Sequence, residues 1–112
     1  MIAKYKKIIS SYNVDSYNIV HHINFFEIIE DSILNYFHSF DTKTILFNKT
    51  FFLSKFSFKF IKSALLNDIL YVTIYFPNNE VNSLCFFNFF KVEIWNQNYE
   101  KILLGKGYIS YD

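Results

Sequence analysis

The chain has 112 residues, 52% of them apolar and 22% aromatic, with two glycines and one proline: enough apolar mass to fill one core, too short for two domains. This composition excludes a disordered chain. A formal charge of +1 gives no net pull toward nucleic acid, although local lysine groups can still meet phosphates. Aromatic abundance by itself says little about function. Phe, Ile, Asn, Lys and Tyr dominate and arginine is absent, a usage that AT-rich coding produces without selection for aromatic contacts. The lone Cys85 excludes an internal disulfide, is expected in the core, and has too few histidines nearby for a zinc cluster.

Residues 1–112 are expected to form a single domain. The first element expected is a strand from Ala3 to Val14, with a lysine-rich start and an imperfect alternation through Ile8, Ile9, Tyr12 and Val14. Lys4, Lys6 and Lys7 precede neither a sustained apolar run nor a small-residue cleavage pattern, so no secretory leader is expected. No stretch nears the roughly 18 apolar residues that span a bilayer. A cytoplasmic protein is therefore expected, and the sequon Asn48-Lys49-Thr50 carries no weight.

The strand delivers an isolated carboxylate, Asp15, into a loop, and a helical pattern runs from about Ile23 to His38. At 100° per residue, Ile23, Phe26, Ile29, Ile33, Phe37 and Phe40 fall in one sector. Asn24, Glu27, Asp31, Asn35 and His38 fall opposite. Glu30 projects into the apolar sector, where a carboxylate is costly unless it is paired, protonated or facing a cleft. An acid beside a helix start is a chemical arrangement. The unpaired N–H groups and positive dipole end stabilise a carbonyl oxygen gaining charge while the carboxylate attacks or activates water.

Ser39 to Thr44 reads as a polar connection, followed by a long strand from Lys49 to Ile61 with period two. Phe52, Ser54, Phe56, Phe58 and Phe60 are assigned to one face, and Phe51, Leu53, Lys55, Ser57, Lys59 and Ile61 to the other. A turn over Lys62 to Asp68 leads to a strand from Ile69 to Phe76, stopped by Pro77-Asn78-Asn79. Val81 to Trp95 is apolar on both faces and is expected to be the central strand. After the turn Asn96-Gln97-Asn98, the last strand spans Glu100 to Tyr111, where Gly105 and Gly107 suggest a bulge or a close backbone approach.

Strand, long helix and four antiparallel strands in this order resemble the hotdog fold, an α+β architecture in which a curved sheet of about five strands wraps one long central helix. The stretch Asp15-Ser-Tyr-Asn-Ile-Val-His-His-Ile-Asn-Phe25 is similar to the acyl-CoA thioesterase motif D-x-x-G-x-V-x-[YH]-x-N-[YF], with Asp15, Val20, His22, Asn24 and Phe25 in place. Glu30 falls where the 4-hydroxybenzoyl-CoA thioesterase branch carries an acid on its helix, and Asn35-Tyr36-Phe37 is similar to that branch's helix end. Lys62 to Leu70 resembles the turn P-A-x-x-G-D-x-L. Asn18 and Asn67 stand where the family has glycine; asparagine tolerates a left-handed backbone better than most residues.

The resemblance implies hydrolysis of an acyl thioester to the free acid and CoA, with no cofactor. In this reading Asp15 is nucleophile or general base, the His22 N–H and helix dipole hold the oxyanion, and Glu30 contributes from a neighbouring subunit. Asn18, Val20, Ile23 and Asn24 are the candidate substrate contacts, with Lys55, Lys59 and Lys62 for the CoA phosphates. The His22 side chain is a further catalytic candidate. A metal is not expected, because adjacent His21 and His22 point apart on an extended segment and no third ligand is evident. A homodimer or homotetramer is implied. An acyl-carrier-protein thioesterase of a fatty-acid or polyketide pathway, and a non-catalytic acyl-binding dimer, stand as alternatives.

Overall fold

The computed structural model describes residues 2–38, 51–77 and 89–111. Five strands, β1 (Ile2–Ile8), β2 (Phe51–Phe60), β3 (Ile69–Tyr75), β4 (Phe89–Trp95) and β5 (Lys101–Tyr111), accompany one helix, α1 (His22–His38). They form one antiparallel sheet in the order β1-β3-β4-β5-β2. This is the α+β hotdog arrangement the sequence resembles, and β4 is central as its apolar character predicts. The expected connection Ser39 to Thr44, the sequon, the first half of the Val81 to Trp95 strand and Cys85 lie outside the described residues.

The first strand is shorter than its apolar pattern suggests. Ala3 is buried and Tyr5 packs on the core, but β1 stops at Ile8, and Ser11–Asn13 form a 3-10 turn. The Asn13 side chain ends the strand: its Oδ1 accepts from the Ser10 N–H at 3.0 Å, while the Asn13 N–H donates to the Ser10 carbonyl at 3.0 Å. Asparagine offers the backbone a local partner in place of a ladder. Tyr12 is consequently exposed, and only Ile9 of this segment is fully buried.

Within α1 the buried stripe is Phe25, Ile28, Ile29, Ser32 and Ile33, recurring every three or four residues. It is rotated from the expected sector, leaving Ile23 65% exposed and Glu30 on the stripe's flank rather than at its centre. Phe25 and Ile28 set the rotated stripe, and Ser32 lies within it. Its hydroxyl donates to the Ile28 carbonyl at 2.7 Å, so a polar residue sits in the core with its hydrogen bond made. The stripe shares one buried core with Ala3 of β1, Leu70, Val72 and Ile74 of β3, and Val92 and Ile94 of β4. Each fully buried Ile or Phe contributes on the order of 1.5–3 kcal/mol.

The faces of β2 also differ from the expected assignment. A bulge between Ser54 and Ser57, with Lys55 at φ 45°, shifts the strand's parity. Leu53 before the bulge and Phe58 and Phe60 after it all reach the core, although odd and even positions belong to opposite faces in a regular strand. Phe56 is left 44% exposed, its ring 4.8 Å from Phe26. On β5, Gly105 marks a close approach: a Cβ there would lie 2.3 Å from Phe58 Cδ1 and 2.8 Å from the Ser57 carbonyl oxygen.

Candidate active site at the start of the helix

The segment joining β1 to α1 is a tight turn built on Asp15. Its carbonyl accepts from the Asn18 N–H at 3.0 Å and its N–H donates to the Ile19 carbonyl at 3.0 Å. Its Oδ1 accepts from the N–H groups of Tyr17 at 2.8 Å and Ile19 at 3.3 Å. Asn18 closes the turn at φ 62°, the left-handed region that glycine also fills. One carboxylate oxygen is thus fixed by the backbone, while no group among the described residues donates to Oδ2. An exposed acid held by one oxygen presents the other in a set direction.

A second loop, 62–68, clamps this turn. Val20 N–H donates to the Ala64 carbonyl at 2.8 Å and Leu66 N–H to the Asn18 carbonyl at 3.0 Å. Asn67 shapes that loop at φ 72°, and the Asp68 carboxylate accepts from the Leu65 N–H and from the Gln97 amide, both at 2.9 Å. Both asparagines, which stand where the resembled motif has glycine, therefore adopt a left-handed backbone.

The helix then begins at His22. Asn24 N–H turns back to the His21 carbonyl, and the Asn24 side-chain amide donates to the Asn13 carbonyl at 2.7 Å, tying α1 to the turn ahead of Asp15. Among the described residues nothing accepts from the His22 or Ile23 N–H. These are the unpaired donors of a helix start, where the dipole is positive, and no acidic residue in the first turn neutralises it.

Beside this start lies a cleft of about 250 Å³. Ile19, Val20 and Phe25 wall one side of it, with His22 at the helix start, and Phe60, Lys62 and Ser63 are on the other. The His22 imidazole stacks flat on Phe60, with ring centroids 3.8 Å apart and planes 6° from parallel. Lys62 pairs with Glu100 across the end of the sheet. Its hydrogen bond, then that of Asn96, holds the Glu100 carboxyl below its usual range.

Of the expected site residues, Val20, His22 and Lys62 come together in the cleft, and Asp15 and Asn18 stand on the turn that supplies its Ile19–Val20 wall. Ile23 follows on the exposed side of the helix start, and the Asn24 amide is committed to Asn13. Glu30 is eight residues further along α1, about 12 Å at 1.5 Å per residue. Its pKa is raised by burial, then by the neighbouring charges of Asp31 and Glu27. Lys55 sits at the β2 bulge, and Lys59 points to the face of the sheet turned away from the cleft. Phe60, Ser63 and Glu100 were not anticipated. Phe60 ends a strand of alternating Phe, but nothing in that pattern marks it as the ring beneath His22.

No protein-family model matches the sequence, and no curated protein matches it. Solved structures do match. A probable thioesterase from Bartonella henselae superposes with a TM-score of 0.78 at 11% identity, covering 99% of this chain and 90% of that one. A 1,4-dihydroxy-2-naphthoyl-CoA thioesterase from Synechocystis gives 0.72 at 13% identity, over 99% and 82% of the two chains. A protein from Staphylococcus aureus, solved in complex with CoA, gives 0.72 at 16% identity, over 99% and 70%. At such identities the shared property is the fold.

Proposed function

We propose that the chain is an acyl-CoA thioesterase that works at the start of α1. One observation carries the reading: a carboxylate fixed through one oxygen leads, within seven residues, to a helix start whose first N–H groups are unpaired. The thioester carbonyl oxygen lies against the His22 and Ile23 N–H groups. Asp15 Oδ2 either takes a proton from the water that attacks the carbonyl carbon, or itself attacks to give an acyl-aspartyl anhydride that water then hydrolyses, releasing the acid and restoring the carboxylate. The C–S bond breaks and CoA leaves as thiolate, which a proton then neutralises. Val20, Phe25 and Phe60 offer the acyl group an apolar wall, and the His22 ring is held by Phe60 so that its backbone stays in place. Asn24 fixes the helix relative to the Asp15 turn, and Asn18 gives the turn its shape.

The named neighbours support this class of reaction. The Synechocystis enzyme acts on an aromatic acyl-CoA and the Staphylococcus protein binds CoA, and both share this fold. A homodimer completes the site: Tyr12, Tyr17 and Ile23, on the segment leading into the helix start, are 94%, 81% and 65% exposed, apolar groups suited to a second copy whose Glu30 reaches the reaction. Lys62, at the cleft mouth, meets the pantetheine or phosphate portion when it exchanges Glu100 for the substrate.

The test is release of free thiol from short aliphatic, long aliphatic and aromatic acyl-CoA esters, by the wild type and by Asp15→Asn. Turnover that collapses in the variant supports the reading and names the acyl class. No turnover of any ester by a folded wild-type dimer contradicts it and moves the assignment to a carrier-protein thioester or to simple acyl binding.

A further inference from the structure

We propose that the face of the sheet turned away from α1 carries a second site, for a nucleoside polyphosphate. The proposal does not rest on the thioesterase reading. Lys59 and Phe60 are successive residues of β2 and project to opposite faces, so this site and the helix-start cleft lie on opposite sides of the strand.

The strand registers place Ile2, Tyr75, Lys91, Lys106 and Ser57 in one cross-strand row, and Lys4, Thr73, Glu93, Leu104 and Lys59 in the next. A depression of about 560 Å³ spans these rows, more than twice the volume of the cleft beside His22. It falls within the roughly 300–1,000 Å³ typical of small-molecule sites.

Its charge is one-sided. Lys59, Lys91 and Lys106 all line it, and Lys91 stands directly opposite Lys106, a like-charge pairing that destabilises a sheet. Glu93, the acid that lines it, is drawn elsewhere: its Oε1 lies 4.0 Å from Lys101 Nζ and its Oε2 accepts from Trp95 Nε1 at 3.4 Å. Among the described residues no carboxylate lies within ion-pair distance of Lys59, Lys91 or Lys106. A chain with a net charge of only +1 thus gathers three ammonium groups around one depression.

The remaining lining is mostly apolar or aromatic, with the hydroxyls of Ser57 and Thr73 among it. Tyr75 is 43% exposed and Leu104 38%. A monocarboxylate would leave two of the three ammonium groups unmatched, whereas a polyphosphate matches all three, and lysine binds phosphate as a point charge. A planar base then lies on the Tyr75 ring and Leu104. The same chemistry is available from a free nucleotide or from the nucleotide end of CoA.

Calorimetric titration of the full chain with ADP, inorganic pyrophosphate and CoA tests the proposal. Expected is saturable ADP binding that weakens at least tenfold in the Lys91→Gln, Lys106→Gln double variant and stays unchanged in Asp15→Asn. Tyr75→Ala weakens ADP but leaves pyrophosphate as it was. The double variant removes a like-charge pair, so its Tm equals or exceeds that of the wild type, which separates lost binding from lost folding. Displacement of ADP by CoA in the Asp15→Asn protein identifies the CoA nucleotide as the ligand source, and its absence identifies free nucleotide. The proposal is overturned by no saturable ADP binding at about 1 mM, the weak end of specific affinity. It is equally overturned by ADP affinity that survives the double variant, or by pyrophosphate binding as tightly as ADP.

Discussion

Replacing Gly105 with alanine tests whether β5 and β2 are as tightly joined as the site requires. The added methyl would lie 2.3 Å from Phe58 Cδ1 and 2.8 Å from the Ser57 carbonyl oxygen. The Phe58 ring can rotate aside, but the carbonyl belongs to the β2 backbone and moves only if the strand moves. Overpacking of this kind costs roughly 1–3 kcal/mol, and a backbone contact places Gly105→Ala at about 2 kcal/mol. With an unfolding entropy of about 2.1 cal/mol/K per residue over 112 residues, that lowers Tm by about 8 °C. Gly107 is the internal control. A methyl there comes no closer than 3.0 Å to Phe56 Cβ and 3.1 Å to the Phe90 ring, contacts that need far smaller shifts, so Gly107→Ala costs less, about 1 kcal/mol. Thermal unfolding by circular dichroism measures both. Because Phe60 follows two residues after Phe58 on the displaced strand, Gly105→Ala also loosens the ring beneath His22 and reduces turnover more than Gly107→Ala does. An effect below about 0.5 kcal/mol, the range of neutral surface changes, or a reversed order of the two variants, refutes the reasoning.

Asn18→Ala and Asn67→Ala each lose about 1 kcal/mol because both positions are left-handed, at φ 62° and 72°, whereas the glycine variants stay near wild type; urea unfolding distinguishes them. Glu30 has a raised folded-state pKa, through burial and then Asp31 and Glu27, so it costs stability once ionised. The penalty is absent below the ordinary carboxylate pKa, grows as pH rises from there to the folded value, and is constant above it, so Glu30→Gln raises Tm at neutral pH and not in acid. Glu100 behaves oppositely. Its pKa is depressed by Lys62 and then Asn96, so its contribution is present above the ordinary carboxylate pKa and is lost as pH falls through the folded value. The Tm gap between wild type and Glu100→Gln therefore closes in acid, and a gap that is flat with pH contradicts the pairing.

Much of the fold was legible because its signals are local. The helix declared itself through apolar recurrence; β4 is central as expected, although only its Phe90, Val92 and Ile94 face is apolar and Lys91 and Glu93 make the other face polar; the two loop asparagines stand where the resembled motif has glycine and take a left-handed backbone. Misreadings arose where one residue altered a periodic count. Ser32 is polar by type yet lies within the buried stripe, its hydroxyl bonded to the Ile28 carbonyl, so an apolar count misses it. The bulge at Lys55 moves Leu53 onto the face of Phe58 and Phe60, a parity change that a two-residue period does not reveal. Asn13 ends β1 through bonds to Ser10 that compete with the ladder.

The site was half legible for the same reason. Asp15, Asn18, Val20 and His22 lie in one stretch of chain, so their spacing conveys their neighbourhood. Glu100 meets Lys62 from 38 residues away, and Phe60 reaches His22 only because β2 pairs at the far edge of the sheet. Neither contact leaves a sequence signal. Lys59, grouped with Lys62 by sequence proximity, is separated from it by strand alternation, and that separation creates the lysine-lined depression on the opposite face.

The central claim is that the Asp15 carboxylate and the His22 N–H act together on the same thioester. Turnover of Asp15→Asn, His22→Pro and the double variant measures this most directly. In Asp15→Asn the side-chain amide oxygen can still accept from the Tyr17 and Ile19 N–H groups, so the turn keeps its shape. Proline is tolerated in the first turn of a helix, where its missing N–H has no intrahelical partner, so His22→Pro deletes the donor without breaking α1, and His22→Ala, which loses the ring on Phe60 but keeps the N–H, is the control for the lost stack. The account predicts that each single variant lowers kcat by about 10²-fold or more at unchanged CoA affinity, and that the double variant is little worse than the poorer single one. A kcat within about tenfold of wild type for either single variant, or losses that multiply fully in the double variant, would contradict it.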